Sequence, residues 1–277
     1  MTTGSPMAGG CNGIGMEIYR VNEGYSRLSI PPVSVDPAVS PDLISIQDEI
    51  RSHFGWKLDA DSRSARELRE ACENSNQSST IWSDESRLQT LFRLQEKLIS
   101  GPITVLGAAA EVEDVQAAIQ EGHGLIAADG AVGVLTETEV PAVAWDALEC
   151  VVSDADGDPS HLRMAAERGI PFILHAHGDN IPEWTSFLQV LSQNNTPLIL
   201  THQTPGDILG MHNPGGFTDG DRAVCIALSL NVSPNQLFLR GFRTDIIGRW
   251  TGATVPERKM RKLEWMERVL NIAGVKM

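Results

Sequence analysis

The chain has 277 residues, 42% of them hydrophobic, which is enough to form a sizeable folded core. Its net charge of −14 excludes general nucleic-acid binding, which needs a basic surface to displace the counterions of phosphates. The chain has no apolar run long enough to span a membrane and no signal-peptide pattern, and its four cysteines lack the spacing of metal or disulfide sites. We therefore expect a cytoplasmic protein.

The charges are unevenly distributed along the chain. Residues 101–221 hold 18 acidic and 2 basic side chains, whereas residues 222–277 hold 4 acidic and 10 basic ones. Most of these charges are typical of solvated loops and helix faces. The segregation is still stronger than solubility requires, and it suggests that a basic C-terminal helix faces an acidic site.

The first hundred residues divide into two stretches. Residues 1–37 are rich in Gly, Pro and Ser and lack a helical or strand period, so we expect a loose N-terminal stretch. Residues 38–100 form a predicted helical region: SPDLISIQDEIRSHF opens with a Ser-Pro start signal, and SDESRLQTLFRLQEKLI is typical of an amphipathic helix. Its predicted apolar face consists of Leu88, Leu91, Phe92, Leu94 and Leu98.

After Gly101, short apolar runs alternate with helical stretches. The runs are ITVLG, GLIAADG, ECVVSD, PFILHAH, PLILTHQ and QLFLRGF. The helical stretches between them include EVEDVQAAIQEG, PSHLRMAAERG, PEWTSFLQVLS and DGDRAVCIALSLN. This alternation predicts an α/β fold with a doubly wound, mostly parallel sheet.

Ligands of such sheets bind beyond the carboxyl ends of the strands. The residues at the ends of the predicted strands are Gly107, Asp129, Asp154 with Asp156, His175 with Asp179 and Asn180, Thr201 with Gln203, and Gly241. A single Asp after a strand is more often a turn or cap residue than a ligand, but several converging acids suit a hard cation. We therefore expect Mg²⁺, which prefers oxygen ligands and shares phosphate oxygens.

The segment NPGGFTDGDRA, residues 213–223, is a candidate phosphate-binding loop. Two glycines allow close backbone approach, and Thr218 or Asp219 can cap the following helix, whose first amides would face an anion. An ordinary capped loop explains the glycines and the cap equally well. Asp221 and Arg222 within one turn favour the functional interpretation.

The HAHGDN segment raises the alternative of a zinc site on His175 and His177. A barrel hydrolase that begins with such a pair is excluded, because too little chain follows for seven more strand-helix units. Zinc ligation with help from His202 and His212 stays open, but no third ligand stands at a characteristic spacing. Hydrogen-bonding roles beside a magnesium and phosphate site are favoured.

Several motifs occur here in order: VSDADGD, HAHGDN, THQT, NPGGFTDGDRAVCIAL, LRGF and ERKMRKLEW. With them, residues 101–273 resemble the archaeal 6-hydroxymethyl-7,8-dihydropterin pyrophosphokinases, which are related in fold to thiamin pyrophosphokinases. The resemblance implies a catalytic domain over residues 101–277 that transfers a diphosphoryl group from Mg-ATP to the pterin hydroxymethyl and releases AMP. The expected partners are ATP and a small pterin, without nucleic acid or membrane, and the prediction allows for a homodimer.

The strand-end argument and the resemblance together assign three sets of site residues. The catalytic residues, of which the three acids would also hold Mg²⁺, are Asp154, Asp156, Asp179 and Arg222. The residues expected to bind ATP or phosphate are Gly107, Gly215, Gly216, Thr218, Asp219, Asp221, Lys259 and Lys262. Those expected to bind the second substrate are Asp129, His175, His177, Asn180 and Gln203.

The sequence departs from the family pattern at three places. Family members tend to have Asn-Phe-Gly-Gly at residues 213–216, Gly-Met-Asp-Phe at residues 241–244 and Thr-Thr-Gln at residues 201–203. This chain carries Pro214, Phe242-Arg243-Thr244 and His202 instead. The acid that is missing at position 243 leaves the role of that position open.

The expected mechanism is in-line attack of the pterin hydroxyl on the β-phosphorus of ATP, driven by positioning and charge neutralisation. The last helix has an apolar side of Met260, Leu263, Met266, Leu270 and Ile272. Its basic start is expected to meet the triphosphate through Arg258, Lys259, Arg261 and Lys262. A glycosyltransferase-like enzyme that uses a nucleotide sugar and a non-catalytic nucleotide sensor are the two alternative functions.

Overall fold

The computed structural model describes residues 40–75 and 80–277, so the predicted loose stretch 1–37 lies outside the described residues. The helices are α1 (Pro41–Phe54), α2 (Leu58–Ser75), α3 (Asp84–Leu98), α4 (Val112–Gln120), α5 (Pro141–Asp146), α6 (Pro159–Glu167), α7 (Ile181–Gln193), α8 (Asp219–Ser229) and α9 (Pro256–Ala273). The strands are β1 (Ile103–Leu106), β2 (Gly124–Ala128), β3 (Leu148–Ser153), β4 (Phe172–Ala176), β5 (Leu198–His202) and β6 (Leu237–Arg240). Short 3₁₀ turns cover Thr80–Trp82, Asp129–Glu137 and Pro234–Gln236.

The strands form one parallel sheet in the order β5-β4-β3-β2-β1-β6. Each predicted apolar run contains one of them, so the predicted α/β fold with a parallel sheet is confirmed. Val105 of β1 lies opposite Ile126 of β2 on one side and Leu239 of β6 on the other. Strands β2 to β5 follow one another on one side of β1, and β6 pairs with β1 on its other side. Because all six strands are parallel, the loops after β1, β2, β3 and β6 lie at one edge of the sheet.

Both faces of the sheet are covered by helices. On β2, Leu125 and Ala127 pack in the cluster that includes α4 to α7, whereas Ile126 packs in the cluster that includes α3, α8 and α9. All residues of β4 and β5 are buried. Burial on two faces explains why these strands read as continuous apolar runs and not as an alternating pattern.

The helices before the sheet begin and pack largely as their sequence signals indicate. Ser40 Oγ accepts a hydrogen bond of 3.2 Å from the Asp42 amide at the start of α1. On α3, Leu91 and Leu94 are buried, but Phe92 is 48% exposed, which corrects its predicted place on the apolar face. Adjacent helical residues differ by about 100° in direction, so Leu91 and Phe92 cannot share one face.

Helices α2 and α3 share their hydrophobic core with the sheet, whereas α1 packs against α8 and α9. Leu68 of α2 belongs to the cluster on one face of the sheet, Leu98 of α3 to the cluster on the other, and Ile46 of α1 packs with Trp265 of α9. The predicted division at residue 100 stays a prediction, but residues on both sides of it form continuous hydrophobic clusters.

The C-terminal helix α9 packs through the buried Leu263, Met266 and Leu270 and the partly buried Met260, which are four of the five residues predicted for its apolar side. Ile272 is 37% exposed. Within residues 40–75 and 80–277, no helix has both the length and the apolar character needed to cross a membrane.

Candidate active site

Three carboxylates meet at the carboxyl ends of β2 and β3. Asp129 directly follows β2, and Asp154 and Asp156 follow β3. One ligand atom of each lies within 4.8 Å of the other two, close enough to share a metal ion. Ser153, the last residue of β3, donates a hydrogen bond of 2.5 Å from its hydroxyl to Asp129 Oδ1 and fixes that carboxylate.

The backbone around these acids is tightly constrained. Asp129 has φ of +48° and Ala155 has φ of +70°, a region that residues other than glycine rarely adopt. A Cβ at Gly157 would lie 2.3 Å from Asp129 Oδ2, so a side chain at this position would displace the carboxylate. Backbone strain of this kind is concentrated at functional sites.

Crowding of negative charge shifts the pKa values of this cluster. Burial, together with the charges of Asp154, Asp219 and Asp156, raises the pKa of Asp129 well above its usual value. Burial and the charge of Asp154 raise the pKa of Asp156 to about 6. Burial and the same charge of Asp154 raise the pKa of Asp219 to about 7. Asp129 and Asp154 are buried and Asp156 is exposed, and oxygen ligands that repel one another at such a site fit a bound divalent cation of the magnesium type.

His177 bridges two carboxylates. Its Nε2 lies 3.0 Å from Asp154 Oδ2 and its Nδ1 lies 2.9 Å from Asp179 Oδ1. Burial alone would lower the pKa of His177, but the hydrogen bonds and charges of the two acids outweigh it and raise this pKa to about 9. His177 is therefore a cation at neutral pH, with both ring nitrogens donating.

The structure groups Asp154 and Asp156 with Asp129, which the sequence prediction had assigned to substrate binding, and not with Asp179. The Asp179 side chain is 71% exposed, and its second oxygen lies 3.7 Å from Arg258. Hydrogen bonding to His177 lowers the pKa of Asp179 to about 2. Asp179 thus pairs with cations of the protein, outside the triad.

The other histidines of the predicted site are also engaged with protein groups. His175 is buried, with Nδ1 3.0 Å from Thr201 Oγ1 and Nε2 3.3 Å from Gln203 Oε1. Burial lowers the pKa of His175, so its ring is neutral at pH 7. His202 Nδ1 lies 2.8 Å from Thr204 Oγ1, and burial lowers its pKa to about 4. Within the part of the chain that the structure describes, the group of side chains close enough together to bind a metal ion is the Asp129–Asp154–Asp156 triad. This group contains no histidine.

Asn180 holds the two loops of this edge together. Its Nδ2 donates to the backbone oxygens of Asp154 and His175, at 2.9 and 2.8 Å. Its Oδ1 accepts from the His177 amide at 2.9 Å and from the Ser64 hydroxyl at 3.3 Å. Asn180 is 3% exposed and its amide group is engaged by these loops, so its predicted contact with substrate stays a prediction.

The predicted phosphate loop is constrained mainly by protein contacts. Gly215 and Gly216 have φ of +86° and +87°. A Cβ at Gly215 would lie 2.8 Å from Leu43 Cβ on α1, and one at Gly216 would lie 2.5 Å from Arg222 Cα. These glycines permit close packing against the protein itself. Phe217, Thr218 and Asp219, further along the segment, border the cavities.

Asp221 and Arg222 are structural in this arrangement. Asp221 is buried and accepts from the Phe217 amide at 2.6 Å and the Thr218 amide at 2.8 Å, which caps α8. Arg222 is 1% exposed, and its guanidinium donates to Asp219 Oδ1 at 2.9 Å and to the Phe217 carbonyl at 2.7 Å. Their predicted phosphate contacts would require both networks to open.

Two cavities meet at the acidic cluster. The β6-side cavity, about 60 Å³, lies along the ends of β1, β2 and β6 and is bordered by Gly107, Asp129, Gly241 and Trp250. The α2-side cavity, about 270 Å³, is bordered by Trp56, Asp61, Gln203, Phe217 and Lys262. Four residues border both cavities: Asp156, Thr218, Asp219 and Lys259. Two substrates could therefore meet beside the triad.

The basic start of α9 lies over this junction, but its side chains differ. Lys259 borders both cavities, and Lys262 borders the α2-side cavity. Burial lowers the pKa of Lys262, against the opposing charge of Asp154. Arg261 is exposed to solvent.

Residue 243, where the family acid is missing, lies at the β6-side cavity. Arg243 Nε donates to Asp245 Oδ1 at 2.7 Å, and both side chains are exposed. An acid is thus present two residues further along the chain, paired with the arginine that occupies the family position.

The sequence analysis missed the contribution of α1 and α2. Gln47 of α1 and Asn213 exchange two hydrogen bonds of 3.0 Å. Trp56 and Asp61, in the α1–α2 connection and the first turn of α2, border the α2-side cavity. No motif in a single sequence joins positions separated by more than 100 residues, so this signal was absent.

The chain is similar to three curated archaeal proteins, each named 6-hydroxymethyl-7,8-dihydropterin pyrophosphokinase. It is 30% identical to that of Pyrococcus furiosus over 80% of this chain and 89% of the relative. It is 28% identical to that of Methanocaldococcus jannaschii over 81% and 91%, and 32% identical to that of Methanothermobacter thermautotrophicus over 54% and 66%. No protein-family model matches the chain.

Proposed function

The chain belongs to the 6-hydroxymethyl-7,8-dihydropterin pyrophosphokinase family, and from this premise we propose that it transfers the β,γ-diphosphoryl group of Mg-ATP to the pterin hydroxymethyl and releases AMP. The observation that carries the proposal is the carboxylate triad at the junction of two cavities. The α2-side cavity would hold the pterin, and the β6-side cavity, which at about 60 Å³ is too small for a whole nucleotide, would hold part of the ATP, with the transferred phosphates between them.

Asp129, Asp154 and Asp156 would hold Mg²⁺. The bound ion would neutralise charge on the phosphates, which is the main demand of phosphoryl transfer. Lys259, which borders both cavities, would add a positive charge beside the phosphates. His177, a cation held by Asp154 and Asp179, would keep Asp154 oriented and ionised.

Product analysis tests this function against its rivals. The protein is incubated with MgATP and 6-hydroxymethyl-7,8-dihydropterin, and nucleotides and pterins are separated chromatographically. We expect AMP and pterin diphosphate in equal amounts. Turnover of a nucleotide sugar without AMP formation from ATP would support a glycosyltransferase instead, and nucleotide binding without any product would support a sensor.

Metal removal should abolish the activity. Because the candidate ligands are three carboxylates, EDTA is expected to stop product formation and excess Mg²⁺ to restore it. The measurement is the rate of AMP release before chelation, after it and after Mg²⁺ addition. Stoichiometric zinc that is retained through chelation and required for turnover would contradict a magnesium site.

Lys259→Ala is expected to raise the KM for ATP about 10-fold while changing the KM for the pterin less than about twofold, because a charged contact to phosphate is lost. The same result is expected for Lys262→Ala, since Lys262 is also predicted to bind the phosphates and borders the α2-side cavity. Arg261→Ala is the matched control on the same helix, since Arg261 is exposed. Equal effects of Lys259→Ala on both substrates, or no effect on either, would make Lys259 a solvated surface residue.

A further inference from the structure

The α2-side cavity contains a buried carboxylate that the diphosphoryl transfer itself does not use. Asp61 lies in the first turn of α2, borders the cavity, and its side chain is 3% exposed. The triad residues Asp154 and Asp156 border the same cavity. An ionisable side chain at such a position needs a partner, because burial of an unpaired charge is costly.

The bonds of Asp61 are divided unequally between its oxygens. Oδ2 accepts from Arg51 Nη1 at 3.2 Å and from Gln203 Nε2 at 3.0 Å. Arg51 also donates to the Gln203 carbonyl at 2.7 Å, so the carboxylate is held by a rigid frame. Within residues 40–75 and 80–277, no donor is recorded for Oδ1. One oxygen is therefore fixed by the protein, and the other is left for a ligand.

The walls of the cavity suit a flat heteroaromatic ring. Trp56 and Phe217 both border it, with ring centroids 5.9 Å apart and planes inclined by 45°. Trp56 is backed by Phe54, which stacks on it at 4.7 Å. The two rings contact each other and form one aromatic wall, and Lys262 Nζ lies 5.6 Å from the Trp56 centroid and 5.7 Å from the Phe217 centroid. Asp61 borders the same cavity, which therefore combines apolar contact area with a directional acceptor, the usual composition of a site for a small planar ligand.

A carboxylate distinguishes between the two rings of the reaction. The pyrimidinone edge of a pterin presents two adjacent donors, the 2-amino group and N3–H, whereas the corresponding edge of adenine presents a donor beside an acceptor. A carboxylate accepts from the first edge and repels the ring nitrogen of the second. On the basis of the proposed function, we propose that Asp61 Oδ1 accepts from the pyrimidinone edge of the pterin and makes the α2-side cavity selective for the pterin over the nucleotide base.

This assignment places the N-terminal helical region in the specificity of the enzyme. In this arrangement the pyrimidinone ring contacts α2 at Asp61, and the hydroxymethyl group is directed to Asp154, Asp156 and Lys262, which border the same cavity. The nucleotide then enters from the β6-side cavity. Asp61 is a specificity-determining residue, and Arg51 and Gln203 are positioning residues that act through it.

Calorimetric titration tests the proposal with the full chain in the presence of Mg²⁺ and a non-hydrolysable ATP analogue. The probes are 6-hydroxymethyl-7,8-dihydropterin and its 2-oxo analogue, in which an acceptor replaces the 2-amino donor. We expect Asp61→Asn to weaken pterin binding about 10- to 100-fold, the range of a hydrogen bond to a charged group. The variant should lose most of the wild-type preference for pterin over the 2-oxo analogue, and its affinity for the ATP analogue should change less than about twofold.

Asp48→Asn is the matched control, because Asp48 is the other carboxylate paired with Arg51 and its side chain is 66% exposed. It should bind both pterins as the wild type does. Ala60→Leu provides a second variant if Asp61→Asn fails to fold. Ala60 also borders the cavity, and the larger side chain should block the pterin while the ATP analogue still binds.

The outcomes separate this inference from the proposed function. Equal losses of affinity for the pterin and its 2-oxo analogue in Asp61→Asn, or an unchanged preference, would overturn the inference even if the wild type forms pterin diphosphate. Retained pterin affinity in a folded Ala60→Leu would overturn it as well. A wild-type protein that binds no pterin would overturn the proposed function and the inference together.

Discussion

Asp154→Asn is expected to lower kcat at least ~100-fold with little loss of stability. The substitution removes a charge from the triad but keeps the size of the side chain. It relieves the repulsion through which Asp154 raises the pKa values of Asp129, Asp156 and Asp219. It also removes a stabilising charge, because burial alone would raise the pKa of Asp154, but the hydrogen bond and charge of His177 outweigh burial and hold this pKa well below its usual value. The two effects oppose each other, so the loss of function should be much larger than the loss of stability.

Steady-state kinetics and thermal denaturation of the same preparations measure this prediction. Asp146→Asn, at the exposed end of α5, is the control for removal of one negative charge. Near-normal turnover of Asp154→Asn would contradict a catalytic role and would mean that Asp154 is only a turn residue at the end of β3. A large drop in melting temperature would show that its bond to His177 contributes more to folding than the repulsion costs.

Arg222→Ala should destabilise the fold by about 3–5 kcal/mol, as expected when one partner of a buried ion pair is removed. The guanidinium is 1% exposed and bonds to Asp219 and to the Phe217 carbonyl, which would both be left without their donor. Urea denaturation gives the free energy of unfolding. Arg261→Ala, which removes an exposed arginine, should change it by less than about 0.5 kcal/mol.

A different result for Arg222→Ala would restore the role that the sequence motif suggested. An unchanged free energy of unfolding combined with a raised KM for ATP would mean that Arg222 leaves Asp219 and binds phosphate. The expected result is instead reduced stability with an unchanged KM for ATP in the folded fraction, which would mean that Arg222 supports the Asp219 loop.

Much of the site was predictable because parallel strands end at a common edge. The apolar runs fixed the ends of β2 and β3, so the acids at 129, 154 and 156 could be placed near one another from the sequence. Which acid completes the triad depends on the loop conformation, in particular on Asp129 at φ of +48° and the missing Cβ of Gly157. Periodicity and motifs contain no information on such dihedral angles.

The roles of buried polar residues were harder to predict. The motif around Arg222 is consistent with phosphate binding, but burial and pairing with Asp219 depend on how α8 packs against the sheet. Asp61 gave no local signal, because its partners Arg51 and Gln203 meet it only when α1, α2 and β5 pack together. A tertiary network of this kind is not encoded in residue spacing.

The fate of the three phosphates of ATP tests the central claim most directly, namely that a diphosphoryl group is transferred at this junction of cavities. ATP labelled separately with ³²P at the α, β or γ position is incubated with Mg²⁺, the protein and 6-hydroxymethyl-7,8-dihydropterin, and the labelled products are separated. We expect the β and γ labels together in the pterin product and the α label in AMP. Appearance of the γ label alone in the pterin or in inorganic phosphate, with the β label retained in ADP, would contradict the account.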